Sequence, residues 1–386
     1  MATKRKIGVV TGSRADYGLL LPVLRAIEAA DELELQLYVT GMHLAPEFGS
    51  TVRVIEQDGF HIHSRVEMLL AGDSPTAVAK STGLGLMGFA EAFSQSPPDV
   101  VLVLGDRFEI LAAAQACLFL RIPLAHIAGG DTTEGAVDEG IRHAITKMAH
   151  LHFVTNEESA ARVRQMGEDP QQVIVTGSPG IDAILSTQLM TKDELASSLG
   201  TSLHRRLLAV TFHPATLEDA PQAAQMQQLL DALDTFDPAE TSIIFTMPNA
   251  DADGRALTAM VQDFIRTREH TRAFASLGLV RYLSLVSHAD AVVGNSSSGL
   301  YEAPTLKTPT VNIGDRQKGR LHASSVLHCP ADSSAISKTI LRAYEMDTTA
   351  TTNPYGNGQA AGQIVETLRS LKQPSSLLRK HFHSLP

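Results

Sequence analysis

The sequence predicts an α/β protein built from two doubly wound, parallel-sheet domains with a cleft between them. Three observations carry this reading. Short apolar runs alternate with longer amphipathic stretches along most of the chain. The alternation breaks near residues 177–201, at a Gly-Ser-Pro-Gly turn followed by a polar helical segment, and then starts again. The length of 386 residues leaves room for two ordinary cores, and 44% hydrophobic with 19% charged residues is a globular composition.

In the first half, strands are expected at 6–11, 33–40, 61–66, 100–104, 123–127, 151–154 and 173–176. The run VVLVL at 100–104 is apolar at every position, as a strand covered on both faces must be. Helices are expected at 19–30, 76–93, 108–120, 136–149 and 157–166, where apolar residues recur at helical spacing. Strand–helix alternation of this kind builds a parallel sheet with helices on both faces. The second half repeats it, with strands at 207–212, 242–246, 291–293, 310–313 and 326–328. A loop TTNPYGNG then leads into a last helix at about 359–371. The domain limits read from this pattern are 1–185 and 186–358, with 359–386 as a terminal helix and tail.

Composition excludes several classes. A net charge of −10 argues against nucleic acid as a partner, although local cations can still converge on an anionic ligand. Cys117 and Cys329 lie far apart, in neither a metal-type spacing nor a disulfide framework. His61 and His63 alternate on one strand face without an evident third ligand, so no metal is expected. The basic start, residues 1–6, is followed by too short an apolar run for a signal peptide, and the apolar stretch 110–120 is too short to span a membrane. A cytoplasmic, soluble protein without membrane contact is expected.

Ligands of doubly wound sheets bind beyond the carboxyl ends of the strands, so the residues following each strand matter most. There the first half places Gly12-Ser13-Arg14, Gly105-Asp106-Arg107 and the stretch HIAGGDTTEGAVDEGIR at 126–142. That stretch holds four carboxylates, Asp131, Glu134, Asp138 and Glu139, then Arg142 and His143. On the expected helix, Asp138 shares a face with Arg142 and Glu139 with His143. The second half places His213-Pro214, Asn249 in the segment after 242–246, and Asn295-Ser296-Ser297-Ser298-Gly299. Arg316, Lys318 and Arg320 follow the strand at 310–313. The serine turn can offer backbone N–H groups and hydroxyls to a phosphate, and the alternative reading is a plain serine helix cap. It matches neither a Walker A loop nor a dinucleotide fingerprint. Glu302, one helical turn later, could accept ribose hydroxyls, or be a surface charge.

These pieces together resemble the hydrolysing UDP-N-acetylglucosamine 2-epimerases of sialic acid biosynthesis and their relatives in bacterial nonulosonic acid pathways. The matching segments are GSRADYG (12–18), GDRFE (105–109), 126–157, TFHP (211–214), PNAD (248–251), NSSSGLYEAP (295–304), VNIGDRQKGR (311–320) and NPYGNG (353–358). The resemblance implies the GT-B architecture, with the last helix returning to the first domain, the sugar on the first domain and UDP on the second. It implies phosphate contacts from Ser296 and Ser297, ribose contacts from Glu302, and nucleotide contacts from Arg316 and Arg14. It implies catalytic roles for Asp106, Asp138 and His213, with Arg107, Arg142 and Asn249 supporting the sugar. Many relatives carry a glutamate where this chain has Ala128, so Asp131 is taken as the carboxylate nearest to replacing it. No cofactor is implied; a UDP-sugar substrate and a homodimer or homotetramer are.

The chemistry fits these residues. The C2 proton of an N-acetylhexosamine is poorly acidic until the bond from C1 to UDP begins to break. A site for 2-epimerisation therefore needs charge stabilisation at the diphosphate and carboxylates within reach of C2. The expected reaction takes UDP-N-acetylglucosamine to N-acetylmannosamine and UDP. Its rivals are the non-hydrolysing epimerase, a hydrolysing epimerase of UDP-2,4-diacetamido-2,4,6-trideoxyglucose from the legionaminic acid route, a retaining glycosyltransferase, and a sugar-nucleotide-binding regulator without turnover.

Overall fold

The structure is a computed structural model that describes residues 4–72, 74–132, 137–213, 222–247 and 254–384. The chain divides into two units, Met1–Ala183 with Tyr355–Pro386, and Ile184–Pro354. Each contains one parallel, doubly wound sheet, as the alternation of apolar and amphipathic stretches predicts.

The first unit holds β1 (Arg5–Thr11), α1 (Arg14–Glu28), β2 (Leu33–Thr40), α2 (Val52–Gln57), β3 (Ile62–Val66), α3 (Pro75–Gln95), β4 (Val100–Leu104), α4 (Phe108–Leu120), β5 (Leu124–Ile127), α5 (Val137–Met148), β6 (Leu151–Val154), α6 (Glu157–Gln165) and β7 (Val173–Val175). Its strand order is β3-β2-β1-β4-β5-β6-β7, so the winding reverses between β1 and β4. Two cores cover the two faces. Ile7, Val9, Leu37 and Leu102 face α1, whereas Val10, Tyr38, Val101 and Val103 face α3 and α4. Alanines 112–114 and 116 of α4 are buried, which lets α3 pack close against it.

Next come α7 (Pro179–Ser186), at the boundary, and then α8 (Lys192–Leu199), β8 (Arg206–Thr211), α9 (Gln222–Asp234), β9 (Thr241–Thr246), α10 (Gly254–Thr267), β10 (Thr271–Phe274), α11 (Gly278–His288), β11 (Ala291–Gly294), α12 (Ser298–Thr305), β12 (Thr310–Ile313), β13 (Val326–Cys329) and α13 (Ser333–Tyr344). The sheet order is β10-β9-β8-β11-β12-β13, with its reversal between β8 and β11.

Two sequence expectations need correction. The first helix begins at Arg14 rather than at residue 19, because Ser13 caps it and Asp16 closes a capping box. Reading GSRADYG as loop missed that box. Strand β10 has no counterpart among the expected strands: TRAF is short, carries an arginine and lies at the sheet edge, so it shows neither a long apolar run nor full burial.

The final helix α14 (Ala360–Ser370) belongs to the first unit and buries Ala361, Ile364, Val365 and Leu368 in the core that also holds Leu20 and Leu24 of α1. Both its ends are charge-matched. Asp182 accepts the first backbone N–H groups, from Ala360 (3.2 Å) and Ala361 (2.9 Å). Arg5 donates to the last carbonyls, those of Leu368, Arg369 and Leu371. A carboxylate at the N-terminus and a guanidinium at the C-terminus both oppose the helix dipole. Asp182→Ala should therefore lower stability by about 1–2 kcal/mol, the usual loss for a removed helix cap. A thermal melt checks this; an unchanged transition would mean that α14 is held by its apolar face alone.

Candidate active site

Where a winding reverses, neighbouring strand ends lead away in opposite directions and leave room for a ligand. In the first unit this gap lies between the residues following β1 and β4. After β1, Asp16 is buried and its carboxylate is fully engaged. It accepts from Thr11 Oγ1 (2.7 Å), Gly12 N–H (3.0 Å) and Ser13 N–H (3.1 Å). The glycine turn is thus rigid, and Arg14 stands exposed as the first residue of α1. After β4, Arg107 is fixed by two hydrogen bonds to Glu109 (2.8 and 3.1 Å). Glu109 is fully buried, and burial pushes its carboxyl above the ordinary range while Arg107 opposes that shift. Asp16 and Asp138 also act electrostatically on the Arg107 guanidinium.

Asp106 is partly exposed and forms an ion pair with Arg142 of α5. Arg142 is 7% exposed and also donates to the backbone carbonyl of Asp131 (2.7 Å). One buried guanidinium thereby ties the end of β4 to the turn after β5. The helix-face pairing expected between Asp138 and Arg142 gives way to this longer-range one. The expected Glu139–His143 pair is present at 3.6 Å. Asp138 lies exposed in the first turn of α5. Asp131 is oriented differently: its carboxylate accepts from Thr155 Oγ1 (2.8 Å) and Ser159 Oγ (2.6 Å), which ties it to the start of α6.

Tight contacts shape the turn between these carboxylates. A Cβ on Gly130 would lie 2.4 Å from the Ser159 carbonyl oxygen, so only glycine fits. His126 is fully buried, its Nε2 against the Gly105 carbonyl (2.8 Å) and its Nδ1 against Thr146 Oγ1 (3.1 Å). Burial pushes its pKa down to about 3, so the ring stays neutral and serves as a spacer between β4 and β5. Ala128 adopts φ +63°, a left-handed conformation that costs a non-glycine residue about 1–2 kcal/mol.

In the second unit the reversal lies between β8 and β11, and Asn295 organises it. Gly294 has φ +136°, and a Cβ there would sit 1.9 Å from the Thr211 carbonyl oxygen, so the chain leaves β11 where a side chain cannot follow. Asn295 is 2% exposed and clamps the backbone of His213 from both sides: its Oδ1 accepts the His213 N–H (2.7 Å) and its Nδ2 donates to the His213 carbonyl (2.8 Å). The Asn295 carbonyl accepts from Arg316 (3.0 Å) and Gln317 (2.8 Å). His213, the serine turn and Arg316 are therefore brought together. Ser296 and Ser297 are partly exposed ahead of α12. Glu302 is held by Ser298, and burial raises its pKa; Ser298 also accepts from Tyr282 (2.6 Å). The cationic run divides, because Lys318 pairs with Asp315 (3.1 Å) whereas Arg320 is exposed. Asn249 lies outside the described residues, as do Glu134 and Pro214.

Asp16, Glu109, Asn295, Gln317 and Tyr282 complete the two sites, and the sequence analysis did not single them out. Ser13-x-x-Asp16 carries a capping signal, whereas nothing local in the sequence marks Tyr282. Among the described residues, no group of three or more His, Cys, Asp or Glu could hold a metal ion, and no helix is long and apolar enough to cross a membrane. Since Ala128 is strained, Ala128→Gly should raise stability by about 0.5–1 kcal/mol and Ala128→Val lower it. Chemical denaturation checks both; the opposite order would refute the strain.

Comparison with known proteins identifies the family. The profile of the UDP-N-acetylglucosamine 2-epimerase family matches residues 25–369. The chain is 41% identical over 326 residues, 84% of each sequence, to a Campylobacter jejuni protein named GDP/UDP-N,N'-diacetylbacillosamine 2-epimerase (hydrolyzing). It is 37% identical over 386 residues, 99% of this chain and 98% of the relative, to the Escherichia coli polysialic acid biosynthesis protein P7. A Listeria monocytogenes crystal structure described as a putative UDP-N-acetylglucosamine 2-epimerase shares the fold with a TM-score of 0.81 at 19% identity, covering 96% of this chain and 99% of that one. With Asp106 of one unit and the serine turn of the other at their winding reversals, the chain belongs to the UDP-N-acetylglucosamine 2-epimerase family and is a UDP-sugar 2-epimerase.

Proposed function

We propose that this protein is a hydrolysing 2-epimerase that converts UDP-N-acetylglucosamine to N-acetylmannosamine and UDP, a step toward nonulosonic acids such as sialic acid. The observation that carries the reading is the Arg142 bridge, in which one guanidinium pairs with Asp106 and donates to the Asp131 carbonyl. Support also comes from the relatives at 41% and 37% identity, whose names speak of hydrolysing 2-epimerisation and of polysialic acid biosynthesis.

In the proposed mechanism, the second unit takes the nucleotide. The Ser296–Ser297 turn, Arg316 and His213 meet the diphosphate and Glu302 the ribose hydroxyls, and Arg14 is a further nucleotide-binding candidate. Donors fixed in advance stabilise charge as it develops on the leaving group. The bond from C1 to the UDP oxygen breaks and its electron pair leaves with UDP. A carboxylate among Asp106 and Asp138 removes the C2 proton, and the C2–H pair forms the C1=C2 bond of a 2-acetamidoglucal. Protonation of C2 from the opposite face and addition of water at C1, with loss of one proton, give the 2-epimer. Water supplies the new anomeric oxygen, so the sum is substrate plus water to free sugar plus UDP.

Two carboxylates on different elements suit two proton transfers on opposite faces. Asp131 would serve this site by holding the turn, through Thr155 and Ser159 on one side and Arg142 on the other. Arg107 and Arg142 would position the sugar and the carboxylates, together with Asn249. Asp106→Asn and Asp138→Asn should each fold normally, keep UDP binding and lose turnover by at least about 100-fold, the usual scale for a removed acid or base. Calorimetry with UDP and a UDP-release assay check this. Full activity in both variants would contradict the carboxylate assignment.

A further inference from the structure

In the first unit, α5, β6, the turn after α6 and the C-terminal tail all meet at Glu168, which is 1% exposed. Its carboxylate pairs with Lys147 of α5 and with Lys380 of the tail (2.7 Å), and His152 Nε2 of β6 lies 3.0 Å from it. Burial alone would raise this carboxyl, but His152, Lys147 and Lys380 hold it down at about 2, so it is ionised. The Lys380 ammonium donates its other two hydrogens to the carbonyls of Lys147 (2.7 Å) and Ala149 (2.6 Å), at the carboxyl end of α5. A cation there opposes the helix dipole and satisfies carbonyls that the helix itself leaves unpaired. Lys147 in turn donates to the carbonyl of Met166 (2.9 Å), which caps the end of α6. The tail is seated beside this hub. His383 N–H donates to the Gly167 carbonyl (2.9 Å), and the Phe382 ring fills the space where a Cβ on Gly167 would come within 2.4 Å of it.

We propose that Lys380 is a positioning residue for the 2-epimerase reaction, a strap from the tail that sets how α5 and α6 present their amino ends to the sugar. The proposal rests on the carboxylate reading above. α5 carries Asp138 in its first turn and Arg142 one turn later, and Arg142 pairs with Asp106. α6 carries Ser159 in its first turn, which holds the Asp131 carboxylate. At their amino ends the two helices therefore share Asp131, Arg142 taking its carbonyl and Ser159 its carboxylate. At their carboxyl ends they share Lys147 and Glu168, and Lys380 is the contact supplied there by the tail. A helix of 12 residues is a rod about 18 Å long, so a shift permitted at one end is carried to the other. Proton transfer tolerates little of this: a displacement of about 1 Å, caused far from the chemistry, can cost about 100-fold in rate.

The test is kcat and KM for UDP release from UDP-N-acetylglucosamine, with calorimetric UDP binding, in the wild type, Lys380→Met and Asp182→Ala, each assayed well below its melting transition. Lys380→Met keeps the apolar stem and leaves Glu168 paired with Lys147 and His152, so the fold should persist. A chain ended at Leu378 removes the strap together with Phe382 and His383 and is the second variant. Asp182→Ala loosens the contact of α7 with α14 instead, and so measures what lost stability alone does to turnover. The expected result is a fall in kcat of about 10–100-fold in Lys380→Met and in the shortened chain, with UDP affinity unchanged and Asp182→Ala keeping its kcat. Wild-type kcat in Lys380→Met, or a fall no larger than that in Asp182→Ala, would overturn the positioning role and leave Lys380 a stability contact. A wild type that releases no UDP, or Asp106→Asn and Asp138→Asn variants with full turnover, would overturn the reading beneath the proposal and the proposal with it.

Discussion

Reversal of strand order is the constraint on which both units depend. A parallel strand can hand its chain to a helix on either face, and where the choice switches, two adjacent strand ends lose the loop that would cover them. In the first unit that happens between β1 and β4, in the second between β8 and β11. Asp106 follows β4, His213 follows β8 and the serine turn follows β11. Arg14 follows β1 and Arg107 follows β4, whereas Asp131, Asp138 and Arg142 lie one strand over, after β5, and Arg316 lies after β12. Apolar runs buried on both sheet faces thus determine where polar chemistry can be placed.

Charges at such an edge must be held without being lost to burial. Around the first unit's ligand edge the protein achieves this by pairing carboxylates with hydroxyl, backbone N–H or arginine donors. Asp16 takes two backbone N–H groups and a hydroxyl, Glu109 takes both arms of Arg107, and Arg142 joins Asp106 to the Asp131 carbonyl. Charge-assisted pairs of this kind fix geometry as well as energy. Neutral His126 separates the two strand ends without adding charge. In the second unit Asn295 does comparable work with an uncharged amide, whose two hydrogen bonds to the His213 backbone fix where that ring begins.

Much of this was legible in the sequence because the two signals are local. Apolar alternation marks a buried parallel strand, and glycine, serine and charge immediately after it mark a ligand edge. VVLVL followed by Gly105-Asp106-Arg107 shows both signals together. What was hidden depends on distant pairing. Arg142 looked like the partner of Asp138 one helical turn away, yet it reaches residues from two other strand ends. Asp131 stands among carboxylates in sequence, but its side chain is drawn to Thr155 and Ser159. Asn295 was passed over for the serines beside it, since nothing in the sequence says which polar residue of a turn will be buried. β10 escaped because an edge strand need not be apolar.

The most direct test of hydrolysing epimerisation through elimination is an NMR time course with UDP-N-acetylglucosamine in D2O. Free UDP appearing together with a 2-epimerised free sugar that carries deuterium at C2 is the predicted result. Two UDP-sugars settling to equilibrium, or a free product that retains its original C2 proton, would contradict it.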